Sequence, residues 1–454
     1  MKLPKGWPII LFILCLAAAK YFYQAIIINP FEIDQEFLAL EAWNFLKLGK
    51  ATLIGAHTSV GGMYIGPFYT YFITLIMWFT RLNPNTINLI SATWATLTAA
   101  AVYFIGRKMF SQEVGMVAGI LAAISIGYLS LIDIPPLVIP LGLVSLFAFY
   151  TISQWQENKK FFFASVILAG IALHLHFTGL YISAFIVIWV FISKYKLTKA
   201  DLVKAALISL FFLSPLIAFD LRHNFLNSRN FITFLLTTNG LKVIIWSIWR
   251  SFNLTLSSLG ALFNNFQNYN KLLGGLAWGI FAVYFLFLKK HKNTHHKLLF
   301  VWSLFPIVIN GLYTGELLPY YYIFHHVQIF LVLGLLLEPI TRSSIGCTAI
   351  ITLTLLYMLL NFKYHNSLTR DFSLNKKLAA FNFITAHAKP QDVNLSFTVE
   401  HARRGGLEYL RQYYGFDDRL DRNRPTYTII LPHGWEQIKA DKTFGEVDIT
   451  LPKN

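Results

Sequence analysis

Charged residues are scarce in this sequence. Asp, Glu, Lys and Arg make up only 13% of its 454 residues, whereas 56% are hydrophobic and 16% are aromatic. A soluble globular domain carries about 25% charged residues, so this composition excludes a chain that is mostly soluble. It predicts a polytopic membrane protein whose apolar runs, of about 20 residues each, cross the bilayer as helices.

Cysteine and intramembrane charge are also nearly absent. The two cysteines, Cys15 and Cys347, both lie inside apolar runs. This argues against a disulfide framework and leaves the redox compartment open. An ion-coupled transporter would be expected to carry ionisable residues inside its spans, and this chain has almost none. Its ionisable residues stand instead at the ends of the apolar runs.

The formal net charge is +16. A soluble basic protein would suggest nucleic acid as a partner, but here Lys and Arg gather in short loops between apolar runs. That is the distribution the positive-inside rule predicts, so we expect membrane lipids and no nucleic acid. The rule places the N-terminus in the cytoplasm and the C-terminal region on the extracytoplasmic side of the cell membrane.

The apolar runs predict about eleven transmembrane helices plus interfacial helices. The candidate spans are residues 7–28, 85–105, 114–132, 135–153, 160–176, 178–193, 203–219, 273–288, 297–313, 320–338 and 345–362. The first is expected to remain uncleaved, with Lys20 near its outer end. The aromatic segment 66–80 is expected to lie at the outer interface or to re-enter the membrane. If it crossed, Lys2 and Lys5 would lie opposite every later basic loop.

Two regions of different composition follow from this topology. Residues 1–362 form the predicted transmembrane domain, with outer loops at 29–84 and 220–272. Residues 363–454 are polar and alternate between helical and strand patterns: NKKLAAFNFITAHA and GGLEYLRQYYG predict helices, and NLSFTV, TYTIILP and EVDITL predict strands. We therefore expect an all-α membrane protein with a small C-terminal extracytoplasmic α/β domain.

The stretch FEIDQEFLALEAWNFLKLGK, just after the first span, carries Asp34 and Glu36. Two interpretations of Asp34 stay open. It either caps a helix from Gln35 to Leu48 or performs chemistry at the membrane surface. Because Asp34 and Glu36 are two residues apart, they would point to different faces of a helix.

The sequence around these acids resembles a family of membrane glycosyltransferases. The stretch FEIDQEFLALEAWNFLKLGKATLIGAHTSVGGMYIGPFYTYF, followed by an apolar run ending in GRKMF, resembles the start of enzymes with the GT-C fold. The nearest group is protein O-mannosyltransferase-like and aminoarabinose-transferase-like, as in glycosyltransferase family 39. Its acidic motif is typically Asp-Glu; here Asp34 matches the Asp, Gln35 takes the second place and Glu36 follows.

This resemblance implies a sugar donor linked to polyprenyl phosphate and a lipid, protein or glycan acceptor on the outer face. It implies Asp34 as the catalytic base, with Glu36 a second candidate of open role. Asp133, in SLIDIPP, matches a second outward acid of the family more weakly. Some relatives use a divalent cation, which is the one cofactor the resemblance allows, but no ligand set in the sequence is convincing.

Four further residues could bind the donor. Arg222 and its neighbour His223 lie in the family-like stretch FDLRHNF, and a guanidinium can grip a phosphate through two hydrogen bonds. Lys20 would be a positive charge at headgroup depth, and His57 could donate a hydrogen bond. For each residue the alternative is ordinary anchoring at the interface.

Two other functions compete with this one. A polysaccharide polymerase or ligase acts at the same membrane face, but it relies on outward Arg residues in large late loops, whereas here the acidic loop comes first. A non-enzymatic transporter of lipid-linked sugars would be expected to show a polar path or repeats within the membrane, and the sequence shows neither. The identity of the sugar and of the acceptor is left open.

Overall fold

The computed structural model describes residues 7–58, 62–125, 134–236, 241–261, 270–287, 294–313, 317–367, 373–400 and 405–452. Helices dominate these residues. In chain order they are α1 (Trp7–Tyr23, continued by a π-helical turn, Gln24–Ile28), α2 (Ile33–Leu48), α3 (Phe68–Phe79), α4 (Asn85–Met109), α5 (Gln112–Ile124), α6 (Ile139–Ser153), α7 (Lys159–Ala172), α8 (Leu180–Ser193), α9 (Lys199–Arg222), α10 (Leu226–Leu236), α11 (Leu241–Ala261), α12 (Asn270–Phe287), α13 (Thr294–Gly311), α14 (Ile323–Thr341), α15 (Ser344–Ser367), α16 (Leu374–His387) and α17 (Leu407–Tyr414).

The helix ends follow local sequence signals. The Ser111 hydroxyl accepts the N–H of Val114 at 3.1 Å and caps α5. Thr198 and Asp201 form a reciprocal capping box at the start of α9. Gly49, with φ 64°, ends α2 in the left-handed conformation that glycine adopts without steric cost. Between such signals the apolar runs stay helical, because a bilayer offers no water to satisfy an open backbone.

All the predicted spans overlap helices, which confirms the polytopic fold class. Three helices among the described residues are long and apolar enough to cross a membrane: Trp7–Ile28, Asn85–Met109 and Lys199–Arg222. Helix α9 turns large apolar side chains outward; Leu207 is 60% and Phe211 62% exposed. Such an apolar surface suits contact with lipid rather than with water. Helices α1, α4, α5, α6 and α14 pack together as the centre of the bundle.

The aromatic segment after the first loop is helical, as predicted. Helix α3 has 12 residues, which corresponds to about 18 Å at 1.5 Å per residue. The hydrocarbon core is about 30 Å thick, so α3 alone is too short to span it. Its length agrees with a helix that lies at or dips into the interface, and its orientation stays a prediction.

The predicted outer loop 220–272 contains two helices, α10 and α11. Helix α11 packs along α12 and α13. The Ser251 hydroxyl donates to the carbonyl of Ile307 at 2.8 Å, and the Tyr322 hydroxyl donates to the carbonyl of Ser251 at 3.2 Å. This segment was predicted to be an outer loop. The structure instead turns polar groups of α11 towards neighbouring helices, where they form hydrogen bonds between helices.

The C-terminal part contains the predicted mixture of elements. Strands β1 (Asn394–Val399), β2 (Thr426–Leu431), β3 (Lys442–Phe444) and β4 (Val447–Thr450) form one sheet in the order β1-β2-β4-β3. The β1–β2 pair is parallel and the other pairs are antiparallel. Helices α16 and α17 and strands β1, β2 and β4 coincide with the predicted elements. Strand β3 was not predicted, since three residues are too short for a recognisable alternation.

The C-terminal part lies against the start of the chain. The Leu374 N–H donates to the carbonyl of Asn29 at 2.9 Å, and the Asn29 side chain donates to Asn375 at 2.9 Å and to Asn85 at 2.8 Å. The first loop and the residues after 373 therefore share one end of the bundle. Their apolar residues belong to one continuous core, and an independent domain at 363–454 stays a prediction.

We expect Thr58 and Leu420 to face the outside of the cell, because the contacts place both regions at one end and the basic loops mark the other end as cytoplasmic. Cysteines introduced singly at these two positions should react with a membrane-impermeant maleimide in intact cells. A cysteine in the basic loop near residue 160 is the matched control and should react only after permeabilisation. Protection at both outer positions would contradict the topology, and labelling at only one would contradict the shared end.

Candidate functional site

The acidic stretch starts helix α2, and the cap is not Asp34. The helix begins at Ile33; Glu32 is the N-cap and forms a capping box with Gln35, whose side chain accepts the Glu32 N–H at 3.0 Å. Asp34 is the second helical residue. The predicted start at Gln35 and the capping role of Asp34 are both wrong, because the Glu32–Gln35 pair already satisfies the helix start. The Asp34 carboxylate is left for another purpose.

Asp34 is accessible to solvent, yet its carboxylate is partly surrounded by protein. Nearby protein atoms displace water from around the carboxylate and raise the pKa of Asp34, while the charge of His57 acts to lower it. The side chain itself is exposed. A carboxylate whose pKa is raised while it remains accessible is a stronger base than a free aspartate, and such groups are enriched at functional sites.

His57 belongs to a hairpin that runs past Asp34. The Gly55 N–H donates to the carbonyl of Ile65 at 2.7 Å, and the Ile65 N–H donates back to Ala56 at 3.0 Å. His57 then stands opposite Tyr64 in an antiparallel bridge. This pairing makes the chain from Gly55 to Gly66 a hairpin that leads into helix α3.

The hairpin is fastened to the corner between α9 and α10. The Asn227 side chain accepts the Tyr64 N–H at 2.8 Å and donates to its carbonyl at 3.1 Å. Asn230 donates to the carbonyl of Gly62 at 2.9 Å. Asp220 in turn accepts the Asn227 N–H at 2.7 Å. The buried acid Asp220 therefore organises the corner and is not available as a base.

Arg222 and His223 stand at this same corner, at the end of α9. Both are exposed. The His223 ring stacks on Phe219 with centroids 4.1 Å apart and shares a 2.8 Å hydrogen bond with the Phe219 carbonyl. Tyr64 of the hairpin packs on the same Phe219, at 5.6 Å. The hairpin that carries His57 therefore contacts the last turn of α9, where Arg222 stands.

Glu36 points to a different neighbour from Asp34. Its carboxylate accepts the N–H of Tyr409 at 2.9 Å, at the start of α17. Burial raises the pKa of Glu36, whereas the backbone N–H groups at the start of α17 and the charge of Lys377 act to lower it. The expected divergence of the two acids is observed, since a separation of two residues on an α-helix is about 200°.

Lys20, predicted as a donor contact, is engaged at the end of helix α5 instead. The Lys20 ammonium donates to the carbonyl of Ser125, at the C-terminal end of α5, and lies 4.4 Å from the centroid of the Tyr21 ring. A cation at a helix C-terminus is favoured by the exposed carbonyl groups there, so Lys20 has a structural partner. Asp133 lies outside the described residues.

The described part of the chain contains no group of three or more His, Cys, Asp or Glu side chains that could hold a metal ion. The histidines at the end of α7 have structural partners instead. His174 stacks on Phe68 with centroids 4.1 Å apart and donates to the Phe212 carbonyl at 3.0 Å. His176 hydrogen-bonds Thr178 at 2.9 Å.

Sequence reasoning overlooked Arg250, in helix α11. Its guanidinium donates to the carbonyl of Tyr313 at 2.7 Å. Its Nε is buried and has no hydrogen-bond partner among the described residues. The available signal was a single arginine in the run WSIWRSFNLTL, inside the segment 220–272 that was predicted to be an outer loop.

The bundle, the irregular loops gathered at one end and the small sheet beside them define a polytopic membrane protein with the GT-C fold. The family of dolichyl-phosphate-mannose-protein mannosyltransferases matches residues 65–219 in sequence. This range runs from the second half of the hairpin to the end of α9, and it stops short of Asp34 on one side and of Arg222 on the other. The expected resemblance to these membrane glycosyltransferases is confirmed.

Solved structures share the fold over almost the whole chain. ArnT from Cupriavidus metallidurans bound to undecaprenyl phosphate aligns with a TM-score of 0.60 and 12% identity over 98% of each chain. Its apo state gives 0.62 and 10% identity over 98% of this chain and 97% of the other. The archaeal oligosaccharyltransferase AglB from Archaeoglobus fulgidus, in complex with an inhibitory peptide and a dolichol-phosphate, aligns with a TM-score of 0.53 and 12% identity. The alignment covers 94% of this chain and 70% of the AglB chain. No curated protein sequence matches the chain.

Replacing Gly66 with Ala should destabilise the hairpin and the end of α7. A methyl group at this position would overlap the His174 imidazole, and such overpacking costs about 1–3 kcal/mol. The measurement is thermal unfolding of purified protein in detergent. Gly275→Ala in α12 is the matched control, because open space surrounds that position; it should leave stability unchanged or raise it slightly. Equal midpoints for the two variants would refute the close contact.

Proposed function

We propose that this protein is a membrane glycosyltransferase that moves a hexosyl or pentosyl group from a polyprenyl-phosphate donor to an acceptor hydroxyl on the outer face. The observation that carries the proposal is the setting of Asp34. It is the one acid of the α2 start that is accessible, has a raised pKa and is not engaged by the C-terminal part. It begins an interfacial helix directly after the first span, at the depth where a lipid headgroup would present its sugar.

Asp34 would serve as the general base. As the acceptor hydroxyl attacks the anomeric carbon, its proton passes to the Asp34 carboxylate. The new bond joins the acceptor oxygen to the anomeric carbon, and the bond from that carbon to the phosphate oxygen breaks. The electron pair of the broken bond stays with the polyprenyl phosphate. The raised pKa of Asp34 favours proton uptake, and His57 beside it helps to keep the carboxylate ionised until the acceptor arrives.

The leaving phosphate needs a positive partner, and Arg222 is our first candidate. It is exposed at the end of α9, on the corner that the hairpin contacts. A guanidinium can hold two phosphate oxygens at once. His223 beside it could add a hydrogen bond. Lys20 and Asp133 stay weaker proposals for donor and acceptor contacts, because Lys20 already binds the end of α5.

The donor's hydrocarbon chain would lie along the apolar flank of the bundle. An apolar cleft beside α3 is lined by Phe68, Phe72, Trp94 and Val144, and it reaches His174 just below the hairpin. The ArnT structure from Cupriavidus metallidurans holds undecaprenyl phosphate, and the AglB structure from Archaeoglobus fulgidus holds a dolichol-phosphate. These bound lipids support a polyprenyl phosphate as the donor carrier here, and the matching mannosyltransferase family supports a sugar such as mannose.

The proposal is tested with radiolabelled polyprenyl-phosphate mannose, glucose and aminoarabinose added to membranes that contain or lack the protein. Label should pass from at least one donor into the lipid, protein or glycan fraction only when the protein is present. The fraction that gains label identifies the acceptor class. Absence of transfer from any polyprenyl-phosphate sugar, with folded protein in the membrane, would refute the function.

Asp34→Asn should abolish transfer and spare folding. Asn keeps the shape of the side chain but cannot take the proton, so transfer should fall roughly a hundredfold or more. Wild-type transfer should decline as the pH falls through the raised pKa of Asp34, above the ordinary value of about 3.9. Glu41→Gln, on the same helix, is the matched control and should keep its activity. Full activity in Asp34→Asn would remove Asp34 from the mechanism, and a joint loss of stability would favour a structural role.

Arg222→Ala should weaken the binding of undecaprenyl phosphate more than Arg222→Lys does. Lysine keeps the charge but loses the two-pronged geometry. Binding is measured by quenching of intrinsic tryptophan fluorescence in detergent. Arg229→Ala, an exposed arginine in α10, is the matched control. If Arg222→Ala binds like wild type, Arg250 becomes the next cation to test, because its Nε has no partner among the described residues.

A further inference from the structure

We propose that the C-terminal part, from residue 373 onwards, positions Asp34 by holding the opposite side of helix α2 through Glu36 and Lys377. We call these contacts the grip. This inference rests on the proposed function for its consequence and on separate contacts for its geometry. Glu36 is then a positioning residue, not a catalytic one. In this proposal Asp34 faces the substrate, and Glu36 holds helix α2 in place.

The first element of the grip is the Glu36 carboxylate at the start of α17. It accepts the Tyr409 N–H at 2.9 Å, one of the N–H groups that an α-helix leaves without an internal partner. A negative charge at this end is also favoured by the helix dipole. Because Asp34 and Glu36 are about 200° apart around the helix axis, fixing Glu36 against the C-terminal part fixes Asp34 on the other side. A rotation of α2 would move both together.

The second element is a lysine with no solvent exposure. The Lys377 side chain is fully buried. Its ammonium donates to the carbonyl of Phe31 at 2.8 Å and to the carbonyl of Gly405 at 2.6 Å. Phe31 comes just before α2, and Gly405 belongs to the loop that leads into α17. Burying a charge is costly unless it is hydrogen-bonded and compensated, and here the two carbonyls and the charge of Glu36 perform that role.

The third element is close packing between the two chain segments. Gly405 lies so near the backbone of Glu32 and Ile33 that a side chain would overlap it. The Tyr409 ring packs on Phe31 and on Trp43, with centroids 6.0 and 6.2 Å away. The Tyr409 hydroxyl also donates to the carbonyl of Leu82, just before α4. The C-terminal part therefore contacts α2 before its first turn, in its first turn and near its middle.

Three variants separate positioning from catalysis. Glu36→Gln keeps an oxygen that accepts the Tyr409 N–H, Glu36→Ala removes it, and Glu41→Ala removes a carboxylate of the same helix that has its own partner in Asn44. Transfer from polyprenyl-phosphate mannose is measured with washed membranes as the source of acceptor, over a range of donor concentrations and of pH. We expect Glu36→Ala to lower kcat about tenfold or more with little change in the KM for donor.

Glu36→Gln should restore activity to within about threefold of wild type and leave the acid limb of the pH profile in place, because that limb belongs to Asp34. Glu41→Ala should behave as wild type. If Glu36→Gln is as inactive as Glu36→Ala, Glu36 takes part in the chemistry and the proposal is wrong. If Glu36→Ala keeps wild-type kcat and loses only thermal stability, the contact merely holds the C-terminal part and the proposal is also wrong.

Hydrogen exchange tests the grip without any activity. In Glu36→Ala the amides of residues 33–48 should exchange faster than in wild type, whereas those of residues 68–79 should not change; Glu36→Gln should resemble wild type. Unchanged exchange in Glu36→Ala would refute the grip even if transfer is lost. If wild-type protein transfers no sugar but the exchange result holds, the proposed function fails while the grip on α2 stands.

Discussion

The structure depends on one constraint: inside a bilayer the backbone must satisfy its own hydrogen bonds. This constraint makes the apolar runs helical and confines irregular chain to the ends of the bundle. Chemistry needs side chains that are not occupied by packing, and such side chains stand in that irregular chain and at the helix ends beside it. His57 lies in the hairpin, Arg222 at the last residue of α9 and Asp34 in the first turn of α2, so all three stand in loops or at helix ends.

Some polar side chains of this protein form structural hydrogen bonds, and others remain accessible for contact with a substrate. Asp220 anchors the α9–α10 corner, Glu36 anchors α17, and Lys20 binds the end of α5. Each is satisfied by a backbone group, as buried polar atoms usually are. Asp34 is different because the Glu32–Gln35 pair has taken over the capping of α2. Asp34 therefore differs from Asp220 and Glu36 in being free of a structural role, not in being an acid.

The small C-terminal sheet has a larger role than its size suggests. Its own elements could form a compact unit, but its buried Lys377 needs the Phe31 carbonyl, and the start of α17 needs Glu36. Each side of the interface therefore supplies hydrogen-bond partners for polar groups of the other side. This mutual dependence is what makes the C-terminal part a support for helix α2 rather than an appended module, and it couples the first acidic residues to the last ninety of the chain.

Much of the protein could be predicted from the sequence because its signals are local. Apolar runs gave the helices, the alternation after residue 373 gave α16, α17, β1, β2 and β4, and spacing alone separated Asp34 from Glu36. Local signals could not show that Glu32 caps α2, that Asn227 holds the hairpin, that α11 turns Arg250 inward, or that Lys377 reaches Phe31. The Glu32 cap is local but was hidden by the neighbouring Asp34, whereas the other contacts join residues 63 to 346 positions apart. Such pairings are decided by which surfaces pack together, and only the tertiary structure decides that.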